Sequence, residues 1–366
     1  MRLNASPSST TVCLVVLISA LFLAPAAPAQ DEPAAVPLPV FEFHSGFWLN
    51  LHHTLYRQAR LQRSSAAGAN AVTTSAGINN LSPAEARAWS TALAFYTKTY
   101  ADKDLTVSLE MILIKNQLGD FETCEDLSGT KKKTCDAGLP ALLTQTLESA
   151  APVYRAHLWT EHDRSNRRWI AAVAPLVRRS GLDLSHRLSE IYQTPWPKER
   201  IRVDVASFAS STGAYSTLDP LRVTVSSTDT RNQSAEALEV LFHEASHGIA
   251  DVVQEAIFRE CRQRDKPIPR DLWHALLFYT TGEVIRPVAA GGPSSPASVA
   301  ATPSLDPSTG GPAASVSSGY VPYAVREGLY KRGWEDYLRV LTQYWQPYLD
   351  GRVDFSDAVA HMVSAL

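Results

Sequence analysis

Two histidines four residues apart, with a glutamate beside the first, are the residues of this chain best suited to do chemistry. They lie in the pentapeptide His243-Glu244-Ala245-Ser246-His247. On a helix, residues four apart project from one face, so His243 and His247 could bind one cation together. Glu244 is offset around that helix, where it can take a proton from a water molecule without being a metal ligand. The pattern H-E-x-x-H therefore predicts a zinc site with a general base beside it.

The motif lies in an apolar-periodic run from Ser234 to Val253, which predicts one long helix. An alternative is a buried helix whose two histidines are satisfied by hydrogen bonds, with Glu244 at the surface. The run supplies a complete core stripe without the histidines, which favours the metal site over that alternative. The stripe consists of Leu238, Leu241, Phe242, Ala245 and Ile249.

A catalytic zinc site needs a third protein ligand and one open position. The metzincin continuation of the motif fails here, because Ala250 and Val253 replace its glycine and its third histidine. In the following apolar segment, residues 272–285, Glu283 is the one carboxylate, and an unpaired carboxylate there would be costly to bury. Glu283 is therefore predicted as the third ligand; a salt bridge to Arg286 or a solvent-facing position is the alternative. His274, nine residues earlier and on the opposite face, is predicted to be structural.

With this ligand set, His243, His247 and Glu283, the chain resembles the gluzincins, the thermolysin-like zinc metallopeptidases. The resemblance implies that Glu244 is the general base, and that a tyrosine from a later segment stabilises the oxyanion. Tyr323 is the candidate for that role, with Tyr330 and Tyr279 behind it. The chain also resembles a group of exported bacterial proteins that have similar short sequence segments around the motif. This second resemblance implies no activity.

Some residues depart from the gluzincin pattern. Pro287 replaces the aspartate that orients a histidine ligand in thermolysin, so Asp251 and Asp204 are the candidates for that supporting role. Ser216 replaces the glutamate that binds the free amine of a substrate in gluzincin aminopeptidases. An endopeptidase is therefore favoured over an aminopeptidase.

The segments before the motif predict the elements that position it. Residues 201–206 and 221–226 alternate apolar and polar residues and are predicted strands. In zincins, a strand just before the metal helix forms an edge to which an extended peptide substrate can add. Residues 47–172 are predicted to be mostly helical, with a capping box at Ser82–Glu85. The expected fold is mainly α, with a small α+β zincin-like catalytic half.

We expect a signal peptide over residues 1–29, a helical region over 30–195 and a zincin-like region over 196–366. The first segment has a short charged start, a 12-residue apolar stretch and an A-x-A site, which predict secretion or a periplasmic location. Within the last region, residues 289–319 are almost entirely small residues and proline, a composition typical of a disordered insertion. Cys124 and Cys135 are predicted to pair, and Cys261 to be a buried free thiol.

The charge balance excludes several classes of partner. The chain has 34 basic and 37 acidic residues, so no nucleic-acid role and no membrane role after signal cleavage is predicted. The predicted partner is a peptide or protein substrate. The sequence does not indicate whether the protein is a monomer or an oligomer. The predicted function is an exported zinc-dependent peptidase. The alternative is an exported structural or adhesive protein that binds zinc without turnover.

Overall fold

The computed structural model describes residues 40–67, 78, 80–290 and 319–366. These residues belong to one compact unit, Leu38–Leu366, which is mainly helical and contains one four-stranded sheet. The expectation of a mainly α protein with a small α+β part is therefore confirmed. The signal peptide predicted at residues 1–29 lies outside the described residues, as does nearly all of the insertion predicted at 289–319. None of the described helices is both long and apolar enough to cross a membrane.

The sheet is mixed, and one of its edge strands is antiparallel to its neighbour. Its strands are β1 Phe41–His44, β2 Ile201–Ala206, β3 Ala214–Leu218 and β4 Leu221–Ser226. In the order β1-β2-β4-β3, β1 and β4 pair with β2 in parallel, and β3 pairs with β4 in antiparallel register. The two predicted strands are confirmed as β2 and β4, and β3 lies at the edge.

The N-terminal helices form a core of their own. They are α1 Phe47–Ala67, α2 Pro83–Thr99, α3 Leu109–Asp120 and α4 Ala141–Tyr154. The capping box predicted at the start of α2 is present, with Ser82 and Glu85 each accepting a hydrogen bond from the backbone of the other. Pro152 lies in the last turn of α4, and a wider π-helical turn follows at residues 155–159. Because proline cannot donate a backbone hydrogen bond, it interrupts regular helix here.

A second core surrounds the sheet and the helix that carries the motif. Its longer helices are α5 Thr160–Tyr192, α6 Ser234–Ser246, α7 Asp251–Gln263 and α8 Leu272–Ala289. The chain ends with the short helices α9 Tyr323–Arg326, α10 Glu335–Val340 and α11 Gln346–Leu349, then α12 Phe355–Ala365. The two cores do not divide at residue 195. Strand β1 and helix α5, both from the predicted helical region, belong to the core that contains the motif.

The cysteines adopt the predicted states. Cys124 and Cys135 form a disulfide with their Cα atoms 5.7 Å apart, and it closes the loop between α3 and α4. Cys261 is a buried free cysteine. It lies on α7, a helix separate from the one that carries the motif.

Buried histidines of the first core should make folding sensitive to mild acid. His52 is fully buried, and burial lowers its pKa to about 3, whereas an unfolded histidine titrates near 6.5. Below pH 6.5 the unfolded chain therefore binds a proton that the folded chain does not, and stability falls as the pH decreases. In metal-free protein, we expect His52→Gln to reduce this slope by about 1.4 kcal/mol per pH unit between pH 6 and 4. Urea unfolding at several pH values measures the slope. The exposed His186→Gln is the control, and an unchanged slope in His52→Gln would contradict the assignment.

Candidate metal centre and catalytic site

Helix α6 carries the first two histidines and ends at the second. The predicted long helix is divided: α6 ends at Ser246, His247 caps it, and α7 begins at Asp251. Just after the C-terminal end of α6, Gly248 packs closely against strand β4. A Cβ on Gly248 would lie 2.6 Å from Cδ2 of Leu221, so a larger side chain would force the helix end away from the sheet.

A third histidine completes a cluster that could hold a metal ion. His274, in the first turn of α8, joins His243 and His247, and one nitrogen of each ring lies within 4.8 Å of the others. The Nε2 atoms of His243 and His274 are 3.3 Å apart. Two nitrogens bound at 2.0–2.1 Å in tetrahedral geometry are separated by about 3.3 Å, so these atoms stand at a suitable spacing without rearrangement.

Glu283, predicted as the third ligand, is not in this cluster. Its carboxylate forms a two-point ion pair with Arg286, one turn further along α8, with an Nη2–Oε1 distance of 2.5 Å. It lines a different cavity with residues such as Arg187. The assignment of Glu283 is therefore corrected to His274, and the alternative of a salt bridge to Arg286 is the one observed. Nine residues place the two side chains on opposite faces of α8, and the face that meets α6 is that of His274.

The three histidines are held in the neutral form that binds metals. Burial lowers the pKa of His243 well below its usual value, and the neighbouring His247 and His274 lower it further. Burial, assisted by His274, lowers the pKa of His247 to about 3. Burial also lowers the pKa of His274. A cation would therefore meet three unprotonated imidazoles at neutral pH.

An aromatic ring, instead of a hydrogen bond to Nδ1, supports His243. The ring of Phe278 stacks on that of His243 with centroids 3.8 Å apart and planes 19° from parallel. Nδ1 of His243 is buried without a hydrogen-bond partner among the described residues. Metal-binding histidines usually donate this second N–H to a carboxylate or carbonyl. Neither aspartate predicted to accept this N–H does so for His243. Asp204 pairs with Arg202 on β2, and Asp251 is exposed at the start of α7.

Glu244 points toward strand β3. Ser216 Oγ donates a hydrogen bond of 3.0 Å to Oε2 of Glu244. Burial raises the pKa of Glu244 to about 7, and the bond from Ser216 opposes that rise. A carboxylate with such a pKa can both accept and return a proton near neutral pH. Ser216 stands where gluzincin aminopeptidases have an amine-binding glutamate. In this structure it holds Glu244, the predicted general base, by a hydrogen bond.

A largely apolar cavity of about 330 Å³ opens beside the cluster. Its walls come from β3 and the loop before it, from α6 and α8, and from the segment after α8. The lining residues are Thr212, Ala214, Glu239, Val240, His243, Glu244, Asp271, His274, Phe278, Tyr323, Leu329 and Trp334. Its size and apolar lining are suited to one large side chain of a bound ligand.

Tyr323 is the predicted tyrosine that lines this cavity. Its ring stacks with Phe278 at 5.6 Å, and its hydroxyl lies 3.4 Å from an Nη1 donor of Arg231 and 3.4 Å from the carbonyl of Thr212. Burial raises the phenol pKa, and Arg231 opposes that rise, so the hydroxyl remains a proton donor at neutral pH. The other two tyrosines hydrogen-bond elsewhere, Tyr279 to Gln346 and Tyr330 to the carbonyl of Ala275.

Sequence reasoning missed His274 and Phe278, although one signal for them was present. His274, Phe278 and Gly282 are spaced by four and therefore share one face of α8. A glycine inside a helix often marks a close approach of neighbouring backbone or side chains. Gly282 does mark the face that packs against α6, since a Cβ there would lie 3.2 Å from Oε1 of Glu239 on α6.

Comparison with protein-family models, curated proteins and solved structures finds no match to this chain. The resemblance to the gluzincins is neither confirmed nor refuted by it.

Proposed function

We propose that this protein is a zinc-dependent endopeptidase. The observation that carries the proposal is a cluster of three neutral histidines beside a cavity that two of them, His243 and His274, line together with Glu244 and Tyr323. Three imidazole ligands with an open fourth position form a typical donor set for catalytic zinc. When bound, zinc supplies a Lewis acid that polarises a carbonyl group and makes water a stronger nucleophile.

The residues of the chain have distinct roles in the proposed hydrolysis. Glu244 accepts a proton from the attacking water and then delivers it to the leaving amine. Ser216 keeps that carboxylate turned toward the site through its 3.0 Å hydrogen bond. The Tyr323 hydroxyl donates to the negative charge that develops on the carbonyl oxygen, the role in which a preorganised donor is most effective.

Strand β3 supports a peptide as the substrate. Among the described residues β3 pairs with β4 alone, so an extended chain could pair at its other edge, where the Ala214 carbonyl accepts from the Ser210 and Thr212 hydroxyls. Ser216 of this strand contacts Glu244, so a peptide added there would pass the proposed base. Because Ser216 carries no charge, it cannot form an ion pair with a free amino terminus, which favours cleavage within a chain.

The disulfide supports an exported location for this activity. A bridge such as Cys124–Cys135 persists in oxidising compartments outside the cytoplasm. The sequence prediction of a secreted or periplasmic protein agrees with this proposal.

Metal analysis beside a peptide-library digest tests the proposed function. We expect one zinc per chain and cleavage next to large apolar residues, with both activity and metal lost after chelation. The preference for large apolar residues is expected because apolar side chains such as Trp334 line the cavity. Trp334→Ala should therefore slow cleavage beside Phe by roughly tenfold relative to cleavage beside Ala. Comparing the two peptides in the same variant controls for any general loss of activity. Zinc-replete protein that cleaves no member of the library would contradict the proposal.

A further inference from the structure

Helix α6 carries a second buried carboxylate, which the proposed mechanism does not use. Glu239 is 1% exposed and lies one helical turn before His243, on the wall of the same cavity. A buried carboxylate is costly unless hydrogen bonds replace the water that it has lost. What binds Glu239 therefore indicates why it is there.

Glu239 binds the segment that carries Tyr323. The backbone N–H of Tyr323 lies 2.9 Å from each of its carboxylate oxygens, and the hydroxyl of Tyr320 donates to Oε2. These donors lie on either side of Val321 and Pro322, so one carboxylate of α6 ties residues 320–323 to that helix. Hydrogen bonds to a carboxylate are among the strongest in proteins when it is ionised.

Neighbouring residues are shaped to accept this contact. Gly282 of α8 faces it, and a Cβ at that position would lie 2.6 Å from Cβ of Pro322. Because Gly282 has no side chain, Pro322 can pack between α6 and α8. An ion pair, Glu236–Arg326 at 3.2 Å, also joins α6 to the segment after α8, but both of its side chains are about 30% exposed. It is therefore peripheral to the buried contact.

Backbone and side chain of Tyr323 are held by different groups. Glu239 fixes its amide, whereas the Phe278 ring stacks on its phenol ring at 5.6 Å. Together with the contacts of the hydroxyl to Arg231 and Thr212, they hold that hydroxyl in the cavity. We propose that Glu239 is a positioning residue, which sets the Tyr323 hydroxyl at the distance needed to stabilise the developing oxyanion. This proposal rests on the proposed peptidase function.

The test compares Glu239→Gln with Glu236→Gln in the zinc-loaded full chain. A neutral amide is a weaker acceptor for two donors, so Tyr323 should shift and kcat should fall about tenfold, with KM changed less than about threefold. Zinc content should be unchanged, and Glu236→Gln should stay within about twofold of the parent. A fall in zinc content that accounts for the lost activity would overturn the proposal.

A double-mutant cycle decides whether Glu239 acts through Tyr323. If it does, Glu239→Gln should lower kcat little further once Tyr323→Phe has removed the hydroxyl. Independent, multiplicative losses in the double variant would overturn the proposal. If Glu239→Gln does not fold, Tyr320→Phe removes one donor of the same contact. It should lower kcat about threefold, again without effect in the Tyr323→Phe background, and additive losses would overturn the proposal.

Amide exchange separates this inference from the proposed function. We expect the backbone amides of residues 323–326 to exchange faster in Glu239→Gln but not in Glu236→Gln, whether or not the protein cleaves peptides. If the unsubstituted protein cleaves no peptide, the peptidase proposal is contradicted, and so is a catalytic purpose for the contact between Glu239 and Tyr323. Unchanged exchange in Glu239→Gln would instead overturn the positioning role while leaving the peptidase proposal standing.

Discussion

Glu244→Gln is expected to abolish peptide cleavage while leaving the metal in place. Glutamine has the same shape but cannot accept the proton of the attacking water, so kcat/KM should fall by roughly 10²- to 10⁴-fold. Glu244 does not belong to the three-histidine cluster, so zinc stoichiometry should remain that of the parent. Steady-state kinetics beside metal analysis of the same preparation gives both results.

The same variant distinguishes the two functions that the sequence left open. A structural or adhesive zinc protein would keep both its metal and its function in Glu244→Gln. Glu236→Gln, on the outer part of the same helix, is the matched control and should retain full activity. Cleavage by Glu244→Gln at the rate of the parent would exclude Glu244 as the general base.

His274→Ala is expected to lose the metal, and Glu283→Gln to keep it. Removing one of three imidazoles leaves two protein ligands, and zinc affinity should fall by more than roughly 100-fold. Glu283 is paired with Arg286 away from the cluster, so its replacement should change zinc affinity by less than about threefold. Competition with a chromophoric chelator measures both affinities.

Thermal unfolding provides an independent measure of the third ligand. A metal that binds only the folded protein stabilises it, so a chelator should lower the melting temperature of the parent and of Glu283→Gln equally. In His274→Ala the chelator should have little further effect. The opposite pattern, with His274→Ala still sensitive to the chelator and Glu283→Gln insensitive, would restore the original assignment of Glu283.

Local signals in the sequence were enough to predict several elements. The period-two alternation at residues 201–206 and 221–226 predicted β2 and β4, because the alternate apolar residues of each strand, such as Val203, Val205, Val223 and Val225, lie in the second core. The capping box at Ser82 was predicted for a similar reason, since it depends on backbone hydrogen bonds within a few residues. The pairing of Cys124 with Cys135 spans one loop and was also accessible.

Contacts between distant segments were beyond such signals. Strand β1 was not predicted, because its four residues become a strand through pairing with β2, more than 150 residues later. The division of α6 from α7 was missed as well, since it accompanies the packing of Gly248 against Leu221 in the folded protein. An apolar period alone does not reveal where a neighbouring strand will interrupt a helix.

The sequence by itself determined the first half of the candidate site: His243, Glu244 and His247 follow from the spacing of one helix. It also showed that His274 and Glu283 lie on opposite faces of α8 and cannot both meet α6, but Glu283 was predicted as the ligand and His274 as a structural residue. The tertiary structure decided between them. Packing turned the face of His274, Phe278 and Gly282 toward α6, where Gly282 permits close approach and Phe278 stacks on His243. Helical periodicity fixes which residues share a face, but only the packed core fixes which face meets its partner.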